Sequence, residues 1–260
     1  MTQPVLAWFS AGCPSAVAAR LAVHEYGAEN VDIVNTDVGS EHPDNVRFIR
    51  EVSEWIGQPI LSVKSEKYRD TWQVWEERRF LNGPYGALCT TELKKKIRQA
   101  IQNDYGPQVF GYSAELKEVK RANRFRVQNP EVTLLTPLIE RGLTKGDCLA
   151  MVERAGIEIP AMYQLGYKNN NCIGCVKGGM GYWNKIRVDF PDTFNRMAGL
   201  EREIGHSCIT ESVEDSDGVT RKHLVFLDAL DPSRGDYATE SDQECSLLCA
   251  ATEADLEESA

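Results

Sequence analysis

Several things are scarce in this chain of 260 residues, and each scarcity narrows its function. No segment reaches the roughly 18 consecutive apolar residues that a membrane span requires. The N-terminal MTQPVLAWFSAG has no basic region ahead of its short apolar run, so no secretory leader is predicted. Basic residues are outnumbered 29 to 39, and a net charge of −10 excludes a protein that coats nucleic acid or anionic membrane nonspecifically. There are only 4 histidines, and neither His42 nor His206 has a companion at metal-ligand spacing. No internal repeat is present. What remains is an ordinary globular composition, 42% hydrophobic and 26% charged, expected in the cytoplasm with its thiols reduced.

Cysteine, by contrast, is plentiful. Of the 8, Cys172 and Cys175 form C-x2-C inside NNNCIGCVKGGMGYWNK, and Cys245 and Cys249 form C-x3-C inside QECSLLCA. Two such pairs have the spacing of a tetrahedral zinc site that fastens the C-terminal region. Cys13, Cys148 and Cys208 stand singly among apolar neighbours and are expected to be small buried hydrophobes. Charge is also unevenly placed. Residues 235–260 carry eight acids and no base, whereas nine bases and four acids lie between Cys89 and Arg126, a pattern suited to a confined anionic ligand.

The periodicity predicts an α/β fold. PVLAWFS is a short apolar strand, and PSAVAARLAVHEYG follows as a helix with proline at its start and glycine at its end. VDIVNT, then HPDNVRFIREVSEWIG over 42–57, then PILSVKS continue as strand, helix, strand, which implies a parallel sheet with right-handed crossovers. A helix is expected over 90–106, a buried strand over 108–113, a last strand over 132–140 and a helix over 143–157. Residues 68–80 are compatible with a helix or a lid. After Pro160 a loop, two helices and a β-hairpin turning at Asp217-Gly218 are expected. The expected division is a nucleotide-binding domain over 1–158, a cysteine-bearing region over 159–250 and an acidic tail over 251–260.

In an open parallel sheet the turn after the first strand collects ligands, and Ser10, Gly12 and Ser15 give it small residues beside free helix N–H groups. The run Ser10-Ala11-Gly12-Cys13-Pro14-Ser15 resembles the PP-loop of the adenine-nucleotide alpha-hydrolase-like superfamily, and more closely its phosphoadenosine phosphosulfate (PAPS) reductase branch. NTDVGSEHPDNVRFIREVSEWIG, ALCTTELKKKIR, FGYSAELKEVKRANRF and LLTPLIERGLTKGDCLAMVERAGIEIPAMYQLGY follow in the family's order, so the resemblance runs over residues 5–190. It implies a Rossmann-like fold holding PAPS, adenylylsulfate or ATP at the carboxyl edge of the sheet. Asn35, Thr36 and Asp37 would border the nucleoside, and Lys94, Arg98, Gly111, Arg121 and Arg124 fall in blocks that line the anion. Pro14 replaces the aspartate of ATP pyrophosphatases, which favours the reductase side.

The resemblance also bears on the cysteines. In adenylylsulfate reductases a Cys-Cys pair and a later Cys-x2-Cys pair hold a [4Fe–4S] cluster; here 172 − 89 = 83 residues is a similar separation, but Thr90 replaces the second cysteine of the pair. Cys89, Cys172 and Cys175 are therefore the expected ligands of an iron–sulfur cluster, with Cys249 taken as the fourth and Cys245, a small molecule or no ligand left open in its place; zinc is the alternative metal. Glu244-Cys245-Ser246-Leu247-Leu248 is similar to the catalytic tail of sulfonucleotide reductases, which makes Cys245 the candidate nucleophile and a thioredoxin-like thiol its partner. Two further functions stay open: an ATP-dependent, cluster-assisted sulfur transferase acting on a nucleobase, and a non-catalytic nucleotide-binding protein with structural zinc. Only those readings involve nucleic acid, and the sequence leaves a homodimer open.

Overall fold

A computed structural model of the protein describes residues 3–83, 86–214, 217–241 and 243. In chain order the elements begin β1 Val5–Phe9, α1 Cys13–Tyr26, β2 Val31–Asp37, α2 Asn45–Ile56, β3 Ile60–Lys64 and α3 Thr71–Arg78. A two-residue ladder, β4 Asn82–Gly83 and β5 Gly86–Ala87, leads into a helical run made of α4 Leu88–Thr90, a π-helical stretch Thr91–Lys95 and α5 Lys96–Ile101. Then come β6 Gln108–Val109, α6 Leu116–Gln128, β7 Leu134–Leu135, α7 Pro137–Glu140, α8 Lys145–Arg154 and α9 Ala161–Gln164. Two consecutive helices, α10 Met180–Asp189 and α11 Pro191–Ile204, precede the hairpin β8 Ile209–Glu214 and β9 Thr220–Val225.

The chain folds into two compact units, each discontinuous in sequence. Of the described residues, the first comprises those within 3–37, 41–65 and 96–170, and the second those within 38–40, 66–95 and 171–243.

The first unit is an α/β layer structure around one parallel sheet of order β3-β2-β1-β6-β7. β1 pairs in parallel with β2 from Val5↔Val31 to Phe9↔Asn35, and with β6 through Leu6↔Gln108 and Ala7↔Val109. Every residue of β1 is buried, as a central parallel strand covered on both faces must be. The order runs outward from β1 in both directions, so the crevice between the carboxyl ends of β1 and β6 is the topological switch point, the usual ligand position of such sheets. Val17, Phe48, Leu138, Cys148 and Val152 pack beneath the sheet in one apolar core. The expected Rossmann-like open sheet is therefore present. α8 starts at a reciprocal capping box formed by Thr144 and Asp147.

Two strands are shorter than expected. The strand over 108–113 stops at Val109, because the chain turns so that Gly111 packs its backbone against Pro14 and Ser15 instead of continuing beside β1. The strand over 132–140 is only Leu134–Leu135; Pro137, with no N–H to give a ladder, occupies the first turn of α7 instead. β3 is an edge strand and largely exposed.

In the second unit, residues 68–80 resolve into helix α3, its N-terminus capped by Asp70, which accepts from the Gln73 N–H. Val38, Tyr68, Val74, Leu88, Leu93 and Cys172 form an apolar cluster against which Cys89 packs. The hairpin turn falls at Asp217-Gly218 as expected, with Gly218 at φ +73°. No helix of the described residues is long and apolar enough to cross a membrane.

Candidate functional site

The turn from β1 to α1 is built from small residues that bond to one another. Ser15 Oγ accepts from the Ser10 N–H at 3.0 Å and donates to the Gly12 carbonyl at 2.8 Å, and Ser10 Oγ lies 3.2 Å from it. The N-cap of α1 is Gly12, which makes no side-chain cap, and its first turn holds no acid, an electrostatic setting that favours an external anion at its N-terminal N–H groups. Ala11 sits at φ +54°, a left-handed conformation that costs a non-glycine residue about 1 kcal/mol. Gly111 closes the far side of the crevice. A Cβ there would lie 2.7 Å from Ser15 N, 2.8 Å from Ser15 Cα and 3.0 Å from Pro14 C, so only glycine allows this approach.

Asn35 and Thr36 end β2 as buried residues, while Asp37 pairs with Lys64 at 2.9 Å. Of the four predicted cations, Arg98, Arg121 and Arg124 share the first unit with the Ser10 turn; Lys94 is buried in the π-helical stretch of the second unit. Arg121 makes a two-pronged bond to Glu118 and lies 5.6 Å above the Tyr112 ring. Arg124 is exposed. Arg98 is the unusual one, only 1% exposed. Its Nη2 donates to Asn129 Oδ1 at 2.7 Å and its guanidinium stands 5.1 Å from the Phe125 ring, but Nε and Nη1 meet no acceptor among the described residues. Burial lowers its pKa, opposed by Glu131 and Tyr112. A buried cation with two unsatisfied N–H groups is a costly feature that an anion or bound water would relieve.

The cysteine turn belongs to the second unit. Cys172 and Cys175 are buried, and the Tyr182 hydroxyl clasps their turn, accepting from Cys175 N at 2.8 Å and donating to the Cys172 carbonyl at 3.3 Å. Tyr182 thus does more than fill the core, while Trp183 is fully buried. The neighbouring glycines serve packing: a Cβ on Gly178 would fall 1.9 Å from the Tyr182 ring, and one on Gly181 would meet Tyr237 N at 2.4 Å. Asn82 Nδ2 donates to both the Val176 and Cys208 carbonyls, which fastens Cys208 beside this turn.

Cys208 is buried as expected but is not solitary. Burial first, and the adjacent Glu201 carboxylate next, hold its thiol well above the ordinary range, and Cys175 and Cys89 lie within electrostatic reach. Cys13 and Cys148 are buried as expected, in one core; burial first, then Cys148 for Cys13 and Glu115 for Cys148, pushes each thiol up to about 12. Among the described residues, no group of three or more His, Cys, Asp or Glu side chains is arranged to hold a metal ion. Two of the predicted cysteines, Cys245 and Cys249, lie outside the described residues.

The sequence pattern presents Asn169-Asn170-Asn171 as loop. In the structure each of the three amides has its own partner. Asn169 Oδ1 accepts from Lys145 Nζ at 2.7 Å, Asn170 Nδ2 donates to the Ala11 carbonyl at 2.7 Å, and Asn171 Nδ2 donates to the Gln243 carbonyl at 2.8 Å. The run of three was the only signal in the sequence, and composition alone does not distinguish such roles from turn formation.

No family model matches the chain. An uncharacterized protein of Methanocaldococcus jannaschii is 23% identical over 211 residues, which cover 77% of this chain and 42% of that relative, so the chain spans less than half of its length. Among solved structures, the chain is similar to a crystal structure of phosphoadenylyl-sulfate (PAPS) reductase from Candida auris in a phosphate complex, with 12% identity and a TM-score of 0.47 over 65% of this chain and 80% of that one.

Proposed function

We propose that this protein binds an adenosine nucleotide and acts at sulfur, as a sulfonucleotide reductase does. One observation carries the reading: an uncapped, acid-free helix N-terminus stands at the switch point of a parallel sheet, lined by Ser10 and Ser15 and abutted by Gly111. In this reading the loop N–H groups and the two hydroxyls hold the phosphate or sulfate end of PAPS or adenylylsulfate. Arg98, Arg121 and Arg124 supply positive charge from the same unit, and Lys94 is the fourth cation of the scheme. Asn35, Thr36 and Asp37 border the nucleoside.

The chemistry assigned to Cys245 is nucleophilic. Its thiolate attacks the sulfate sulfur, a Cys–S–SO3⁻ bond forms, and the adenosine nucleotide leaves through its phosphate oxygen. An external dithiol of the thioredoxin kind then cleaves the S–S bond, sulfite departs, and the dithiol is oxidised to its disulfide. Positive charge in the crevice offsets the repulsion between thiolate and sulfonucleotide. Cys89, Cys172, Cys175 and Cys249 are proposed as a metal-binding set, with a [4Fe–4S] cluster or zinc as the occupant. The described residues alone do not form such a group.

The test is sulfite release from PAPS or adenylylsulfate in the presence of a dithiol, run beside pyrophosphate release from ATP. Sulfite production that disappears in Cys245→Ser while nucleotide binding persists is the expected result. Pyrophosphate without sulfite would replace the reductase with an ATP-dependent sulfur transferase, and binding with neither product would leave a nucleotide-binding protein. Iron, labile sulfide and zinc measured on anaerobically purified protein decide the occupant of the thiols; absence of all three removes the metal.

A further inference from the structure

Asn170 is 6% exposed and joins a chain of three side-chain amide and carboxylate groups whose direction is fixed by charge. Glu41 Oε2 accepts from Asn45 Nδ2 at 2.9 Å; Asn45 Oδ1 accepts from Asn170 Nδ2 at 2.7 Å; the same Nδ2 donates its other hydrogen to the Ala11 carbonyl at 2.7 Å. A carboxylate only accepts, so Asn45 must turn its NH2 to Glu41 and its oxygen to Asn170. Asn170 then has two acceptors facing one end of its amide, and only the nitrogen fits there. The opposite end shows what this orientation costs: Asn170 Oδ1 is buried with no hydrogen-bond partner among the described residues.

The chain ends on Ala11, the residue held at φ +54°. In a trans peptide the N–H of the next residue points opposite to the carbonyl. Fixing the Ala11 carbonyl on Asn170 therefore fixes the Gly12 N–H in the reverse direction, at the turn where Ser10 and Ser15 converge. We infer that Glu41, Asn45 and Asn170 form a polarised relay whose purpose is to lock the Ala11–Gly12 peptide in its anion-receiving orientation, with Asn170 as the positioning residue. This rests on the nucleotide-binding reading for its ligand, but the relay itself is testable without one. A buried unsatisfied acceptor and a left-handed alanine beside it are then the strain that the lock maintains.

The experiment compares wild type with Asn170→Ala, Asn170→Asp, Glu41→Gln and the Glu41→Gln/Asn170→Asp double variant. Three quantities are read: the urea midpoint, affinity for adenylylsulfate by calorimetry, and the Gly12 amide resonance by NMR. Asn170→Asp turns an oxygen toward the Ala11 carbonyl and is expected to lower both the midpoint and the affinity, the latter about 10- to 100-fold. Asn170→Ala, which adds no charge, should also lower affinity by about tenfold and shift the Gly12 amide. In the double variant, the new glutamine side chain can donate to a reversed Asn45, which in turn can donate to the new carboxylate. The midpoint should recover toward wild type, while affinity should not, because the Ala11 carbonyl is still unheld.

Additive midpoints in this cycle, or an unmoved Gly12 amide in Asn170→Ala, would overturn the relay. Affinity restored together with the midpoint would reduce Asn170 to an ordinary structural residue and overturn its positioning role. Should wild type bind neither adenylylsulfate, PAPS nor inorganic phosphate, the nucleotide reading fails and the positioning role with it, yet the midpoints and the Gly12 resonance still decide whether the polarised chain exists.

Discussion

The same substitution, glycine to alanine, should have opposite effects at two positions of this chain. At Gly111 the added methyl would sit 2.7–3.0 Å from three backbone atoms of Pro14 and Ser15, none of which has a rotamer to move aside. Ordinary contacts of this kind are near 3.5–4.0 Å, so the two loops must part by roughly 0.5–1 Å. Overpacking of that size costs about 1–3 kcal/mol. It also displaces the Ser15 N–H from the crevice, and losing one hydrogen bond to an anion lowers affinity about 10-fold or more. At Gly199, inside α11, nothing lies within 4 Å of the new methyl and no positive φ is involved. There alanine should stabilise by about 0.5–1 kcal/mol through helix propensity and a less flexible unfolded chain. Urea denaturation reads both signs, and amide hydrogen exchange in β1 and α11 assigns each to its unit. Gly111→Ala with wild-type stability and wild-type nucleotide affinity would refute the close approach, and with it the proposed construction of the crevice.

Arg98→Met removes a buried cation that the fold satisfies poorly, so stability should be unchanged or raised by about 1–4 kcal/mol while anion affinity falls; a destabilised variant with intact binding would contradict this division. Cys13 and Cys148 are held protonated far above their ordinary value of 9.0, to about 12, so each contributes stability that is full below pH 9 and lost as pH rises from about 9 to 12, at up to about 1.4 kcal/mol per pH unit. Urea midpoints measured across that range should fall less steeply in Cys13→Ala/Cys148→Ala than in wild type, and parallel slopes would count against the buried thiols. Glu201→Ala should destabilise the second unit by about 2–4 kcal/mol, because the buried carboxylate accepts from Cys208 N, Leu227 N and Ser207 Oγ; Glu201→Gln should cost less, as hydrogen exchange at Cys208 and Leu227 would show.

The sheet and most helices were legible because their information is local. β1 reads as VLAWF with both faces apolar, α8 announces its own start through Thr144 and Asp147, and Gly57 ends α2 in a left-handed conformation. The strands over 108–113 and 132–140 were overdrawn because apolar composition does not say where a partner strand ends. Gly111 left its ladder for a contact with Ser15, and Pro137 began a helix. The loop serines and Gly12 were visible as small residues at a strand-to-helix joint. Cys208 is buried as its apolar setting suggests, but the cysteines within its electrostatic reach lie 33 and more residues away in sequence, where no local pattern shows them: 208 − 175 = 33.

By itself, then, the amino-acid order determined the alternation of strands and helices, the parallel sheet they imply, and the residue types available at the first turn. Tertiary structure alone decided which of those residues act together. Hydrogen bonds such as Asn170 to Ala11 span 159 positions, and Arg98 carries unsatisfied N–H groups only because packing closes over it. Periodicity records how a segment meets water, whereas the partner of a buried polar group depends on distances in space that no local pattern contains.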